Sequence, residues 1–235
     1  MIYVIECYNS TEGEVMRDQI LQTILTIPGI LIGFTVHEYA HAKVADKLGD
    51  PTPRAQGRLT LSPIPHIDPI GFLALLLFHF GWAKPVQVNP RNFKNYNKDD
   101  LKVNIAGVMA NLFTAAVFGL LAGIFALVAF KGNFLIRSSN TLSLTWIIYR
   151  ILGYTVQINC MLSLFNLLPL PGLDGFNILR NLAPAKFYKI EGAMYRYSFV
   201  IMIILVMPIY GGTSIIGLLL SGPVGAMTKL FLNII

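Results

Sequence analysis

Long apolar runs separated by polar segments dominate the chain. The runs lie at residues 19–42, 103–130, 141–166, 194–210 and 213–232. A helix rises about 1.5 Å per residue, so runs of this length suit a hydrocarbon layer of about 30 Å. Only Gly211 and Gly212 separate the last two runs, which predicts a C-terminal helical hairpin. The pattern predicts an all-α polytopic membrane protein with about five transmembrane helices.

The polar region between the first two long runs contains shorter patterns. Residues 69–82 are apolar but span only about 21 Å as a helix, which favours a short re-entrant helix over a full crossing. ArgLeuThrLeu at 58–61 alternates as a short strand does, in a segment that we expect to be a loop or an edge strand, and residues 85–90 predict a strand followed by a turn. We therefore expect small β-strand or hairpin segments beside the helices.

Composition excludes several classes of protein. Apolar residues make up 54% of the chain and charged residues only 13%, whereas about a quarter of a soluble domain is charged. This balance excludes a water-soluble globule and a disordered chain. Although the net charge is +6, basic and aromatic residues do not alternate along a groove, so no nucleic-acid partner is predicted.

The basic residues are distributed unevenly between the predicted loops. Nine lie between residues 43 and 102: Lys43, Lys47, Arg54, Arg58, Lys84, Arg91, Lys94, Lys98 and Lys102. Four more, Arg180, Lys186, Lys189 and Arg196, lie on the same side by parity, and the opposite side receives Arg17, Lys131 and Arg137. Because cytoplasmic loops are enriched in Lys and Arg, we expect the N-terminus outside and these loops in the cytoplasm.

A metal-binding pattern lies near the cytoplasmic end of the first predicted span. In His37-Glu38-Tyr39-Ala40-His41, two histidines four residues apart share one helix face and can bind one zinc ion. Glu38 can then act as a general base. Ionisable residues at the end of an apolar helix are costly unless they are functional. The alternative is a helix end at which these side chains simply meet water.

A catalytic zinc site usually has a third protein ligand. The candidates are His66, Asp68, His79 and Asp174. His66 and Asp68 stand between prolines and suit the bracing of a turn, and His79 suits an apolar core or interface. Asp174 follows a segment broken by Pro169, Pro171 and Gly172, and parity places it on the same side as His41.

Two of these segments resemble the hallmark motifs of the site-2 protease family, the intramembrane zinc metalloproteases. They are HisGluTyrAlaHis (37–41) and AsnLeuLeuProLeuProGlyLeuAspGly (166–175). The similarity continues through 57–71, 82–86 and 106–112, covers about residues 20–182, and looks most like the short prokaryotic branch that lacks PDZ and CBS modules.

The resemblance implies a function and a set of roles. His37, His41 and Asp174 would hold one zinc ion per chain, and Glu38 would be the general base. Asn166 and Asn111 would be substrate-binding residues; Asn111 matches the asparagine of the family's central helix. The implied activity is an endopeptidase that cleaves in or near a transmembrane segment of a membrane protein within the bilayer. The oligomeric state is not predicted.

The sequence shows no repeat, low-complexity tract or separate soluble domain, which predicts a single unit. Residues 1–235 would form a single integral membrane metalloprotease domain, with a polar segment at 1–18, a catalytic core at 19–182 and the helical hairpin at 190–235. The active site would lie near the cytoplasmic face of a prokaryotic cell membrane.

Two other functions are compatible with the motif. A metal transporter or metal-binding membrane scaffold also uses intramembrane His, Glu and Asp, although such residues usually spread along facing helices. The second alternative is an inactive family member that binds membrane helices, but the intact Glu38 argues against it.

Overall fold

The computed structural model describes residues 12–78, 81–131, 144–210 and 213–233. Its helices are α1 (Glu12–Lys47), α2 (Thr52–Ala55), α3 (Pro69–Phe78), α4 (Tyr96–Lys131), α5 (Leu144–Asn166), α6 (Asp174–Leu182), α7 (Pro184–Phe187), α8 (Glu191–Val206) and α9 (Ile215–Leu232). Strands β1 (Pro208–Tyr210) and β2 (Thr213–Ser214) pair in antiparallel fashion between α8 and α9. Short 3-10 turns cover Ile64–His66 and Pro90–Asn92.

Four of the described helices are long and apolar enough to cross a membrane. They run over Met16–Lys47, Tyr96–Ala129, Leu144–Asn166 and Ile215–Leu232. Large apolar side chains such as Phe113, Val128 and Phe199 are exposed, as they are when a helix faces lipid. The expected class, an all-α polytopic membrane protein, is confirmed.

Within the part of the chain that the structure describes, four helices meet this criterion, against the about five that the sequence predicts. Helix α8 has 16 residues, about 24 Å, and is shorter than the hydrocarbon layer. It ends at Val206 because Pro208 follows closely and lacks the N–H group that a continuing helix needs.

Helices α1, α4 and α5 form the centre of the bundle. The α1 backbone approaches α5 closely at Gly29 and Gly33: a Cβ atom at Gly29 would lie 2.9 Å from the Cα of Thr155. Small residues spaced by four allow such close packing of membrane helices. Helix α9 covers the other side of α5, where Val224 packs with Val156 and Cys160. The central bundle thus fixes α1 against its neighbours.

The region from 48 to 95 departs from the predicted strands. No strand forms at 58–61 because Arg58 is buried, with 4% of its surface exposed, while Leu61 points outward. Residues 84–89 belong to no assigned strand. The pairing in this region is an isolated bridge between Ile67 and Ala83, next to a backbone hydrogen bond from Lys84 N–H to the His66 carbonyl oxygen. Helix α3 is about 15 Å long and too short to span the bilayer, so a re-entrant or interfacial position remains the prediction.

Candidate active site

The two histidines of the first motif lie side by side on α1. One helical turn separates His37 and His41, so their imidazoles converge, and the two Nε2 atoms are 3.0 Å apart. Both residues are buried, as is Glu38 between them. The sequence spacing has therefore brought two nitrogen donors to one point inside the bundle.

Helix α4 orients both imidazole rings. The Nδ1 atom of His37 lies 2.6 Å from the side-chain oxygen of Asn111, and the Nδ1 atom of His41 lies 2.8 Å from the Val103 carbonyl oxygen. Both partners are acceptors, so each Nδ1 carries the proton and each Nε2 presents its lone pair. Asn111 is fully buried and its amide also donates to Gly33 and Asn159. These contacts favour positioning of His37 as the role of Asn111.

The proline-broken segment returns the chain from α5 to the histidines. Helix α5 ends at Asn166, and Gly172 turns the backbone with a φ of +94°, a conformation that favours glycine. A Cβ atom at Gly175 would lie 2.2 Å from the Leu167 carbonyl oxygen, so the turn closes tightly on itself. Asp174, the first residue of α6, consequently points its carboxylate into the bundle, with Oδ2 at 3.3 Å from the Nε2 atoms of both histidines.

Helix α6 is fixed to α4 by polar contacts away from the histidines. The buried Asp100 carboxylate accepts hydrogen bonds from Arg180 at 3.1 Å and from Asn181 at 2.6 Å. Asn177 donates to Asn104 at 3.1 Å. Because α6 is only nine residues long, these contacts at its C-terminal half fix its axis and hence the place of Asp174.

The donor set fits a zinc ion. Two imidazole nitrogens and one carboxylate oxygen are a catalytic zinc set, and tetrahedral bonds to zinc place ligand atoms about 3.3 Å apart. Here the separations are 3.0, 3.3 and 3.3 Å. The Asp174 Oδ2 atom is buried and has no hydrogen-bond donor among the described residues. One cation placed between these three atoms would give each of them a partner.

The backbone of α4 closes one side of this cluster. A Cβ atom at Gly107 would lie 2.4 Å from the Nε2 atom of His41 and 2.7 Å from the Cε1 atom of His37. Both distances are far below van der Waals contact. Any side chain at 107 would occupy the space into which the imidazoles project.

The carboxylate of Glu38 is held by residues 84–92, which we call the strap; this segment has no assigned helix or strand before the 3-10 turn at Pro90–Asn92. The backbone N–H of Val86 donates to Glu38 Oε2 at 2.7 Å. Arg58 binds the carbonyl oxygens of Pro65 and Lys84 and thereby fixes the start of the strap. Its other end is fixed by Asp50, which accepts from the Asn89 N–H and from the Asn92 side chain, each at 2.7 Å.

The remaining sequence candidates lie apart from the cluster. Asp68 accepts from Gly71 N–H at the start of α3, and His66 contacts the Thr60 carbonyl oxygen, so both brace this loop as expected. His79 lies outside the described residues. Asn166 lies at the end of α5, where its amide donates to the Leu162 carbonyl oxygen. Among the described residues, only His37, His41 and Asp174 form a potential metal cluster.

The sequence did not single out Gly107 or Asp100 as functional. Gly107 lies within the 106–112 segment that carries the family resemblance, which is the one signal that could have drawn attention to it. Asp100 acts on residues about 80 positions away, and nothing in its local sequence indicates this contact.

The amino-acid sequence is similar to those of known proteins. The model of Peptidase family M50 matches residues 25–207. A protein of Bacillus subtilis named "Putative zinc metalloprotease YwhC" is 39% identical over 210 residues, which cover 86% of this chain and 88% of that protein. One of Mycolicibacterium smegmatis, "Putative zinc metalloprotease Rip2", is 28% identical over 196 residues, covering 77% of this chain and 66% of that protein. No solved structure matches significantly. The match to the family model spans most of the chain, including both motifs, and the chain therefore belongs to Peptidase family M50, the site-2 protease family of zinc metalloproteases.

Proposed function

We propose that the protein is an intramembrane endopeptidase that cleaves a peptide bond in or near a transmembrane segment of a membrane protein. One zinc ion per chain would be held by His37, His41 and Asp174. The observation that carries the proposal is the position of the donor cluster: both histidines and the adjacent Glu38 lie on α1, in a stretch apolar and long enough to span a bilayer.

The chemistry follows from the donor set and from Glu38. Zinc, when bound, supplies Lewis-acid catalysis, which polarises a carbonyl group and makes water more acidic. Glu38 accepts the proton of the attacking water and later delivers it to the leaving amine. The Val86 N–H holds one carboxylate oxygen of Glu38, so the direction of the other oxygen is restricted.

Neighbouring groups of the protein orient the proposed zinc ligands. Asn111 and the Val103 carbonyl keep both histidines in the tautomer whose Nε2 atom is free to bind metal. Asp100 holds α6, and with it Asp174, against α4. Outer contacts of this kind usually change metal affinity by about 10- to 100-fold when they are removed.

A transmembrane substrate must unwind before its peptide bond can be reached. Residues 84–89 of the strap belong to no helix or strand and lie against Glu38, so an unwound substrate could align along them and satisfy its backbone groups there. Asn166 remains a candidate for holding the substrate backbone. The side chain of Asn111 is fully buried, so any effect of Asn111 on substrate binding would be indirect, through its hydrogen bond to His37.

The site is proposed to lie near the cytoplasmic face of a prokaryotic cell membrane, with the N-terminus outside. The uneven distribution of Lys and Arg supports this orientation, and the relatives described above are bacterial.

The test is cleavage in proteoliposomes that contain the full chain, zinc and a single-span model protein. Glu38→Gln should retain zinc and lower the cleavage rate by about 10²- to 10⁴-fold. Glu191→Gln, the same chemical change at the start of α8, should leave the rate unchanged. Cleavage by Glu38→Gln at the parent rate would contradict the proposal. Zinc flux into the liposomes without any cleavage would favour a transporter instead.

A further inference from the structure

A basic cavity of about 360 Å³ opens beside the strap. It is lined by Gln56, Arg58, Lys84, Pro85 and Gln87. We propose that this basic cavity is a substrate subsite that binds an acidic side chain, Asp or Glu, on the polar flank of the cleaved segment. The inference rests on the proposed peptidase function and adds a substrate preference to it.

The charges of the lining residues point to an anionic ligand. Arg58 and Lys84 are both cationic, and the other three lining residues are neutral. Neither cation forms an ion pair with a carboxylate within 4.0 Å among the described residues. A buried charge is costly unless it is paired, and the Arg58 residue is 96% buried. The cavity therefore offers a positive potential that a carboxylate can neutralise.

Arg58 retains donors for such a ligand. A guanidinium group has five N–H donors, and the Pro65 and Lys84 carbonyl oxygens each take one. Burial lowers the pKa of the guanidinium, while the negative charge of Glu38 acts on it in the opposite direction. Arg58 binds the carbonyl oxygen of Lys84, and two residues further along the chain the N–H of Val86 binds Glu38. The cavity therefore adjoins the proposed reaction centre.

The position along the strap sets where the acidic residue would lie. Val86, whose N–H binds Glu38, stands between Lys84 and Gln87, both of which line the cavity. A chain advances at most about 3.6 Å per residue, so Gln87 and Lys84 lie within about 4 Å and 7 Å along the strap from the Glu38 contact. A substrate that follows the strap would place a side chain near the scissile bond into the cavity.

The surroundings favour a peptide over a lipid headgroup. The cavity is built from the strap and from the chain that follows α2, not from the membrane-spanning helices. Its two glutamines, Gln56 and Gln87, contact each other at 3.4 Å and add uncharged donors and acceptors suited to polar peptide groups.

Binding can be tested without catalysis. The probes are fluorescent single-span polypeptides whose cytoplasmic flank carries three consecutive Glu, Gln or Lys residues, titrated into Glu38→Gln protein in uncharged lipid nanodiscs. The Glu probe should bind about tenfold more tightly than the Gln probe at low salt, and the difference should shrink as salt screens the charges. With Lys84→Glu added, the preference should reverse towards the Lys probe.

Lys98→Glu is the matched control, because it makes the same charge change at an exposed position that does not line the cavity. It should preserve the preference for the Glu probe. Equal binding of the Glu and Gln probes, or an equal effect of Lys84→Glu and Lys98→Glu, would overturn the subsite. A Lys84-dependent response to anionic lipid vesicles, without discrimination between probes, would assign the cavity to a headgroup and likewise overturn it. Because binding is measured in a variant that lacks the base, these outcomes are separate from failure of the cleavage assay.

Discussion

Gly107 of α4 lies against His41 of α1 so closely that a methyl group on Gly107 would stand 2.4 Å from the imidazole Nε2 atom. That atom is one of the three proposed zinc donors. The contact shows that α4 provides more than packing: its bare backbone at 107 leaves the volume in which the donor atoms converge.

We expect Gly107→Ala to displace His41 and to remove most bound zinc, together with peptidase activity. Gly153→Ala is the matched control, since a Cβ atom there meets nothing within 4 Å. It should keep its zinc and gain up to about 1 kcal/mol of stability from the higher helix propensity of alanine. Metal analysis of both purified variants tests this; equal zinc content would show that the cluster tolerates the extra atom.

The contact between Asp100 and α6 predicts that a substitution at Asp100 lowers zinc affinity. Asp100→Asn removes the charge that Arg180 and Asn181 bind, so α6 should loosen and Asp174 should lose its fixed position. Zinc affinity, measured by competition with a chromophoric chelator, should fall about tenfold. Asp99→Asn controls for the change, because Asp99 contacts Lys102 and the Asn95 N–H instead of α6. A fall of the same size in Asp99→Asn would refute the positioning role.

Asn111 offers a test of the proposed histidine tautomer. Asn111→Leu keeps the volume but leaves the Nδ1–H of His37 unpaired, so zinc affinity should fall about 10- to 100-fold. Asn111→Asp restores an acceptor to His37, although it loses the amide donors to Gly33 and Asn159. It should therefore bind zinc more tightly than Asn111→Leu in the same competition assay. The reverse order would mean that Asn111 matters only for packing.

Asp50 predicts a pH dependence of stability. Burial would raise the pKa of Asp50, but hydrogen bonds from Thr52, Asn89 and Asn92 hold it below the ordinary value of an aspartate. A lowered folded-state pKa contributes stability above the unfolded pKa of about 3.9, and this stability is lost as the pH falls through the folded value. Asp50→Asn should lower Tm at pH 7, and the gap to the parent should narrow progressively as the pH falls below about 4. A gap that stays constant from pH 7 to pH 3 would exclude this linkage.

The sequence predicted the elements whose signal is local. Long apolar runs predicted the main helices, and the four-residue spacing of His37 and His41 predicted their convergence. The end of α8 was misplaced because the apolar run continues past Val206, whereas Pro208 stops the helix. Of the two alternatives at 58–61, a loop or an edge strand, the structure has the loop, because Arg58 turns inward and binds two backbone carbonyl groups. Gly107 and Asp100 act across helices, so their roles depend on packing that no local pattern reveals.

The central claim is that α1 and α6 jointly hold one zinc ion, and its most direct test is the zinc content per chain of purified variants. The parent and Glu38→Gln should each contain about one zinc per chain, and so should Asp68→Ala, which changes an aspartate outside the cluster. His37→Ala and Asp174→Ala should each lose nearly all of it, because two donors hold zinc far more weakly than three. Full zinc occupancy in both of these variants would contradict the account.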